Sequence, residues 1–557
     1  MFIPKDFKIS DWSSLEPFYK NLVDRTISST EDLHQWLIDR SALESVIEED
    51  MAWRYIKMTC DTTDKAREEA YLFFVSEIDP KISPINDALN RKMIDSPFLE
   101  KIEKPEYFTY FRKVRKELEI YREENIPLYV EIQTLSQKYG AISGAMTIEM
   151  EGKALTLQQA ANYYKSTNRE LRKEAFKKIT SRRIQDADAL EDLFDQLVTL
   201  RTQVAKNAGF DNFRDYMFAA LGRFDYQVSD CQKFHESVKN EVVPIVKSLD
   251  EKRKVELALD TYKPWDTEVD TQGREALKPF IDGNDLLQKT LSCFGEVDEE
   301  FKNIIQTMSN MGHFDLESRV GKAPGGYNYP LAVSGYPFIF MNSASNTRDV
   351  ETMVHEAGHA FHSVLSHKLE LNAMKSFPSE VAELASMSME LISSDAQQVF
   401  YTSKEDHTRA QTEHLEGVLE VLPWIAIVDK FQHWIYTHVG HTRDERKAAW
   451  LQITNEYSTG VVDWTGYEHI RPYGWHKQLH IFEVPFYYIE YGIAQLGAIG
   501  VWRNYLHNKQ TGLDMYKNAL KLGYAATMPE IYKTAGVKFD FSQDNIRELM
   551  QFVKAKL

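Results

Sequence analysis

The sequence predicts a mainly α-helical protein of two or three lobes carrying one small β-sheet. Three observations lead there. At 557 residues the chain is too long for a single hydrophobic core. Long stretches set apolar residues three and four apart, with few Gly or Pro between them. One segment, from Gly321 to Asn346, departs from that rhythm.

Taken in order, helix is expected from about Leu99 to Lys138 and from Thr156 to Asn207. In the second stretch Leu190, Leu193, Phe194, Leu197, Leu200 and Val204 keep to one helical face. The run Thr261-Tyr262-Lys263-Pro264-Trp265-Asp266 breaks helix, and Pro279 and Gly283 punctuate soon after. There is no repeat of fixed period and no low-complexity tract. Between Gly321 and Asn346, the runs Gly325-Gly326-Tyr327-Asn328-Tyr329-Pro330 and Tyr336-Pro337-Phe338-Ile339-Phe340-Met341-Asn342 predict two short strands joined by a turn. They are expected to form a small sheet beside the helix that follows. An exposed edge there, with Gly326 at the substrate, would pair with an extended peptide by strand addition. The other reading is a purely structural hairpin.

Composition narrows the partners. Hydrophobic content of 43% and charged content of 27% describe a globular protein, not a disordered one. With 66 basic against 84 acidic residues the net charge is -18, which repels phosphate backbones and anionic lipid. Neither nucleic acid nor a membrane surface is an expected partner. Cys60, Cys231 and Cys293 form no CxxC pair and are expected as small buried hydrophobes in a reducing compartment. Residues Met1 to Asp6 lack the apolar run of a signal peptide, and no stretch reaches the roughly 18 apolar residues of a membrane span. A cytoplasmic protein is expected.

The chemistry centres on His355-Glu356-Ala357-Gly358-His359. A helix turns about 100° per residue, so His355 and His359 stack one turn apart and both imidazoles can reach one ion. Glu356, one step round, is placed to take a proton from metal-activated water and pass it to the leaving amine. With 16 histidines in the chain, chance would supply such a spacing about one time in thirty, so the context decides. Asn346-Thr347-Arg348-Asp349 suits a helix start. Val350, Met353, Val354, Ala357, Ala360, Phe361 and Leu365 then predict a buried helix, whose polar groups need a partner.

A catalytic zinc site needs a third ligand and an open position. The position six residues past the motif is Leu365, and His362 stands where metzincins need Gly, so that class is excluded. His362 is read as a packed histidine. The alternative is a glutamate on the helix-like segment Ser379 to Glu390. Glu383 lies among apolar residues, where an unpaired carboxylate is costly and a divalent cation resolves the cost. Glu380, one turn earlier on the same side, competes with it.

Four blocks then carry a resemblance. They are Gly321 to Tyr327, Asp349 to His359, Glu383 with Ser386 and Glu390, and His480 to Tyr491. Weaker agreement runs through Leu200, Arg201, Gly209, Tyr216, Arg223 and Tyr226. Over about Thr180 to Gly536 the chain resembles the thimet oligopeptidase and oligoendopeptidase F family of zinc peptidases, most of all its bacterial oligoendopeptidase F and Pz-peptidase-like members.

The resemblance implies a two-lobed helical fold with a deep central channel and one zinc ion per chain on its floor. Residues 1–170 would form an N-terminal helical region and residues 171–557 the catalytic region, the lobes interleaving along the chain. It implies that Glu383, not Glu380, completes the His355 and His359 ligand set, with Glu390 close behind. It further implies that His480, Tyr488 and Tyr491 stabilise the substrate carbonyl as it becomes an oxyanion, and that Tyr487 contacts substrate. Each such donor lowers a barrier by about 2.7–4 kcal/mol. The expected activity is cleavage of internal bonds in short unstructured peptides, by a monomer or a homo-oligomer. A metallocarboxypeptidase of similar build and a non-catalytic peptide-binding protein are the alternatives.

Overall fold

The computed structural model describes residues 2–557. The mainly helical character is borne out, and the chain divides into two compact units, each drawn from three separate segments. The first comprises Met1–Glu119, Leu277–Gln411 and Ala494–Phe539; the second comprises Ile120–Ala276, Thr412–Ile493 and Asp540–Leu557. Among the described residues no helix is long and apolar enough to cross a membrane.

In the first unit the helix Thr30–Cys60 organises two cores. It opens on Ser29, whose hydroxyl accepts from the Asp32 N–H, and Glu31 and Asp32 complement the positive helix end. Its first half buries Leu33, Trp36, Leu37, Leu43 and Ile47 with Leu15, Tyr19, Tyr107 and Phe111. Trp36 keeps its indole N–H satisfied on the Leu22 carbonyl at 2.9 Å. The second half sets Ala52 and Ile56 against Leu331, Phe338 and Phe340.

There are five strands among the described residues: β1 (Thr147–Met150), β2 (Lys153–Thr156), β3 (Phe314–Glu317), β4 (Tyr327–Tyr329) and β5 (Phe338–Ser343). The strands expected between Gly321 and Asn346 are β4 and β5, paired antiparallel. β3 joins parallel on the other side of β5, so β4 is an edge strand. β3 is not evident in the sequence, because the alternation of Phe-Asp-Leu-Glu lasts only four residues. The β1–β2 hairpin of the second unit was also unforeseen. Glu151 and Gly152 turn it with φ of 49° and 76°, the left-handed pair that a two-residue hairpin requires.

Lys322 pins the three-stranded sheet from within. Its fully buried ammonium donates to the Asp315 carboxylate at 2.7 Å and to the carbonyls of Asp315, Glu317 and Met341 at 3.0, 2.8 and 2.5 Å. Burial alone would raise the Asp315 carboxyl, but hydrogen bonds from Arg319 and Lys322 outweigh it and hold the group at about 2. Lys322→Met strands those acceptors in the interior. It is expected to lower stability by about 3–5 kcal/mol in denaturant unfolding. An unchanged midpoint would show that the ammonium holds nothing.

Both expected helical stretches are divided, Thr156 to Asn207 into Leu157–Ala161, a short turn, Arg169–Gln185 and Ala187–Asn207. The stretch from Leu99 to Lys138 resolves into short turns, the helix Phe108–Ile120 and the helix Ile126–Gly144. Pro105 and Pro127 each sit in a first turn, where a ring lacking an N–H starts a new segment more readily than it continues an old one. The helix Ala187–Asn207 of the second unit buries Leu190, Leu193, Phe194, Leu197 and Val204 as anticipated, with Leu200 half-buried.

Candidate metal centre

The motif helix spans Thr347–Ser366 and is started by a reciprocal cap. The Asn346 side chain accepts from the Asp349 N–H at 3.1 Å, and the Asp349 carboxylate accepts from the Asn346 N–H at 3.1 Å. Val350, Met353, Val354, Ala357, Ala360 and Phe361 are buried as expected, and Phe361 stacks on Phe301 at 4.2 Å. The second helix, Ser379–Ile392, begins after Pro378 and buries Val381, Leu384, Ala385, Met389 and Ile392.

Gly358 lets these two helices touch. A Cβ at that position would lie 2.6 Å from Ser386 Cα and 2.8 Å from the Ala385 carbonyl oxygen. Neither backbone atom has a side chain's freedom to retreat. The glycine therefore brings the Glu383 side of the second helix up to the histidines.

His355, His359 and Glu383 each present one ligand atom, and the three atoms lie within 4.8 Å of one another. His355 Nε2 and His359 Nε2 stand 3.4 and 3.8 Å from Glu383 Oε2. Tetrahedral zinc with bonds of about 2.0–2.1 Å sets its ligand atoms roughly 3.3 Å apart, so the residues present fit the ion. The site has the two neutral-capable nitrogens and one carboxylate oxygen that leave a coordination position open.

Outer contacts orient the set. His355 Nδ1 lies 2.6 Å from Glu390 Oε1, so Nδ1–H donates there and Nε2 faces Glu383. Ser386 Oγ donates to Glu383 Oε2 at 2.9 Å. Burial would raise Glu383, but the His355 contact and the nearby imidazoles hold it at about 2. Burial presses His359 down to about 4, the neutral form a metal needs. Against the same burial, Glu383 and Glu390 raise His355 well above its ordinary value. Burial, with Glu383 and Glu390 nearby, pushes the Glu356 carboxyl up to about 7. Glu390→Ala is expected to weaken zinc retention about 10–100-fold, read by chelator competition.

Glu380 is just as buried as Glu383 but is absent from the convergent set. His362 is packed as expected. Its ring stacks on Phe377 at 3.5 Å, and among the described residues neither ring nitrogen has a hydrogen-bond partner. Sequence reasoning missed Asn328, whose side-chain amide donates to the Glu356 carbonyl at 3.0 Å and ties β4 to the motif helix. Gly326 stands one residue before β4, with a would-be Cβ 3.3 Å from the Phe340 carbonyl oxygen.

His480, Tyr487, Tyr488 and Tyr491 come together within the second unit. The His480 ring lies 4.9 Å from Tyr488 and 5.9 Å from both Tyr487 and Tyr491. Trp424 Nε1–H donates to Gln478 Oε1 at 3.0 Å, which orients the Gln478 amide so that its nitrogen donates to His480 Nδ1 at 2.7 Å. The neutral ring then carries its proton on Nε2 as a donor. Burial lowers His480 and raises the Tyr488 phenol, keeping both neutral.

Pro485 interrupts the helix. Leu479–Glu483 ends, Phe486 takes a left-handed φ of 69°, and Tyr488–His507 begins. A strained non-glycine residue of this kind persists only where its surroundings hold it. The Phe486 N–H is bound by Gln432 at 3.1 Å, its carbonyl by Arg223, and Arg223 is anchored on Glu490 at 2.8 Å. The buried Arg201 caps the Ile481 carbonyl at 3.2 Å and reaches that of Phe482.

Comparison with known proteins agrees with the motif blocks. Residues 162–551 match peptidase family M3, and residues 2–121 match the peptidase M3 N-terminal domain. An oligoendopeptidase F homolog of Lactococcus lactis subsp. lactis (strain IL1403) is 23% identical over 401 residues, covering 69% of this chain and 63% of its own. Oligopeptidase PepF of Bacillus subtilis (strain 168) is 23% identical over 430 residues, covering 72% of this chain and 61% of its own. The chain thus spans less than two thirds of the length of these relatives. A solved structure of Pz peptidase A with an inhibitor superposes with a TM-score of 0.90 at 26% identity, covering 100% of this chain and 98% of the other. With residues 2–121 and 162–551 both matched, the chain belongs to peptidase family M3.

Proposed function

We propose that the protein is a zinc-dependent oligoendopeptidase that hydrolyses internal bonds of short unstructured peptides. The observation that carries this reading is the convergence of His355, His359 and Glu383 beside the buried carboxyl of Glu356. His355, His359 and Glu383 would hold one zinc ion, oriented by Glu390. Zinc bound there supplies Lewis acidity toward a carbonyl oxygen and toward water. Glu356 takes the proton of the attacking water and returns it to the leaving amine. His480, Tyr488 and Tyr491 donate hydrogen bonds to the carbonyl oxygen as it gains charge, and Tyr487 contacts the substrate.

The open edge of β4, tied to the Glu356 carbonyl through Asn328, supports strand addition of an extended peptide past Gly326. On this reading residues 171–557 carry the reacting groups and residues 1–170 form the N-terminal helical region. A reducing, cytoplasmic setting goes with it, since none of the three cysteines is in a disulfide.

An internally quenched peptide blocked at both ends tests the reading. Cleavage is expected, abolished by a chelator and restored by zinc. Removal of terminal residues from unblocked peptides alone would replace it with the metallocarboxypeptidase reading.

A further inference from the structure

A second group of side chains, in the other unit, meets the same geometric standard. Cys231 on the helix Val228–Glu241, and Asp429 and His433 one turn apart on the helix Lys404–Thr437, bring three ligand atoms within 4.8 Å of one another. Cys231 is 2%, Asp429 0% and His433 7% exposed. From its sequence Cys231 is expected to be a small buried hydrophobe. Burial holds, but its neighbours are a carboxylate and an imidazole.

The hydrogen bonding there is incomplete. His235 Nε2 lies 2.7 Å from Asp429 Oδ2, while Asp429 Oδ1 is buried and has no hydrogen-bond partner among the described residues. His433 Nε2 approaches Asp429 Oδ2 at 3.2 Å but off the line of a hydrogen bond, and neither of its ring nitrogens has a hydrogen-bond partner among the described residues. A carboxylate oxygen sealed from water with nothing to accept from is costly, and so is a sealed imidazole. Both face a thiol that becomes a strong ligand once its proton leaves.

We infer that Cys231, Asp429 and His433 form a second metal site that takes one divalent ion of the zinc class. A thiolate, a carboxylate and a neutral imidazole around a divalent ion sum to zero charge. That resolves the burial of Asp429 without a stranded ion. Sulfur, nitrogen and oxygen together suit zinc better than magnesium or calcium. His235 is a positioning residue, holding one Asp429 oxygen so that the other meets the ion. Phe218 and Phe486 stand edge-on to the His433 ring at 6.0 and 5.5 Å. Such an apolar wall suits an ion that ties two helices together rather than one that works on substrate.

Thiolate ligation separates this site from the His355, His359 and Glu383 centre, which has no sulfur. Protein loaded with zinc alone, then dialysed, is expected to retain two equivalents per chain. Protein loaded with cobalt alone is expected to show a sulfur-to-cobalt charge-transfer band. Cys231→Ser should remove the band and one equivalent. His359→Ala, altered at the first centre, should keep the band and one equivalent. One equivalent in the unaltered chain, no band, or a band that survives Cys231→Ser would each overturn the inference and leave the His235–Asp429 hydrogen bond without an ion beside it. Because the band is read on the unaltered protein, a variant that fails to fold does not shield the idea.

Discussion

Glu356→Gln is expected to retain zinc and to lose peptide hydrolysis by about 10²–10⁴-fold. The substitution is nearly isosteric and leaves the backbone carbonyl that Asn328 binds untouched, so β4 and the motif helix stay joined. It removes the motif's own carboxyl, which stands beside the ligand set without belonging to it. An amide can still hydrogen-bond water but cannot take its proton. The loss should fall on kcat with little change in KM, as befits a group used in the transition state. Metal content by atomic spectrometry and turnover of a quenched peptide give the two readouts. Activity that survives the change would refute Glu356 as the base.

Glu383→Ala is expected to act earlier, on the ion itself. With one charged ligand gone, two imidazoles remain, and retention should fall beyond the about 10–100-fold of an orienting partner such as Glu390. Hydrolysis should vanish with the metal and return only partly at high added zinc. Glu380→Gln is the matched control, a buried glutamate on the same helix outside the convergent set, and should keep its zinc. If Glu380→Gln lost the ion and Glu383→Ala kept it, the ligand assignment would be reversed.

The histidine pair was legible because both ligands and the base belong to one helix, where spacing alone determines facing. The third ligand was not legible to the same degree. Glu380 and Glu383 share a helix, a side and apolar neighbours, and only packing against the motif helix at Gly358 separates them. Periodicity gave the face of Ala187–Asn207 but not the division of the Leu99 to Lys138 stretch, where prolines reset the helix. Asn328 was invisible because a lone amide between two tyrosines carries no pattern. The His480 and tyrosine cluster was named from likeness alone. What shapes it are contacts far away in sequence, from Trp424 through Gln478 and from Arg223 and Gln432 to the left-handed Phe486. A local reading has no access to such links.

The missing side chain at position 358 makes two quantities into one. The gap between the motif helix and its neighbour is also the bite of the ligand set, since Ser386, which sits over that gap, is one turn from Glu383. An ion of larger radius would have to part the helices, and one methyl group would do so in the ion's absence. The choice of metal is therefore governed partly by an interhelical distance, and a variant that altered the distance would alter the preferred ion without touching a ligand.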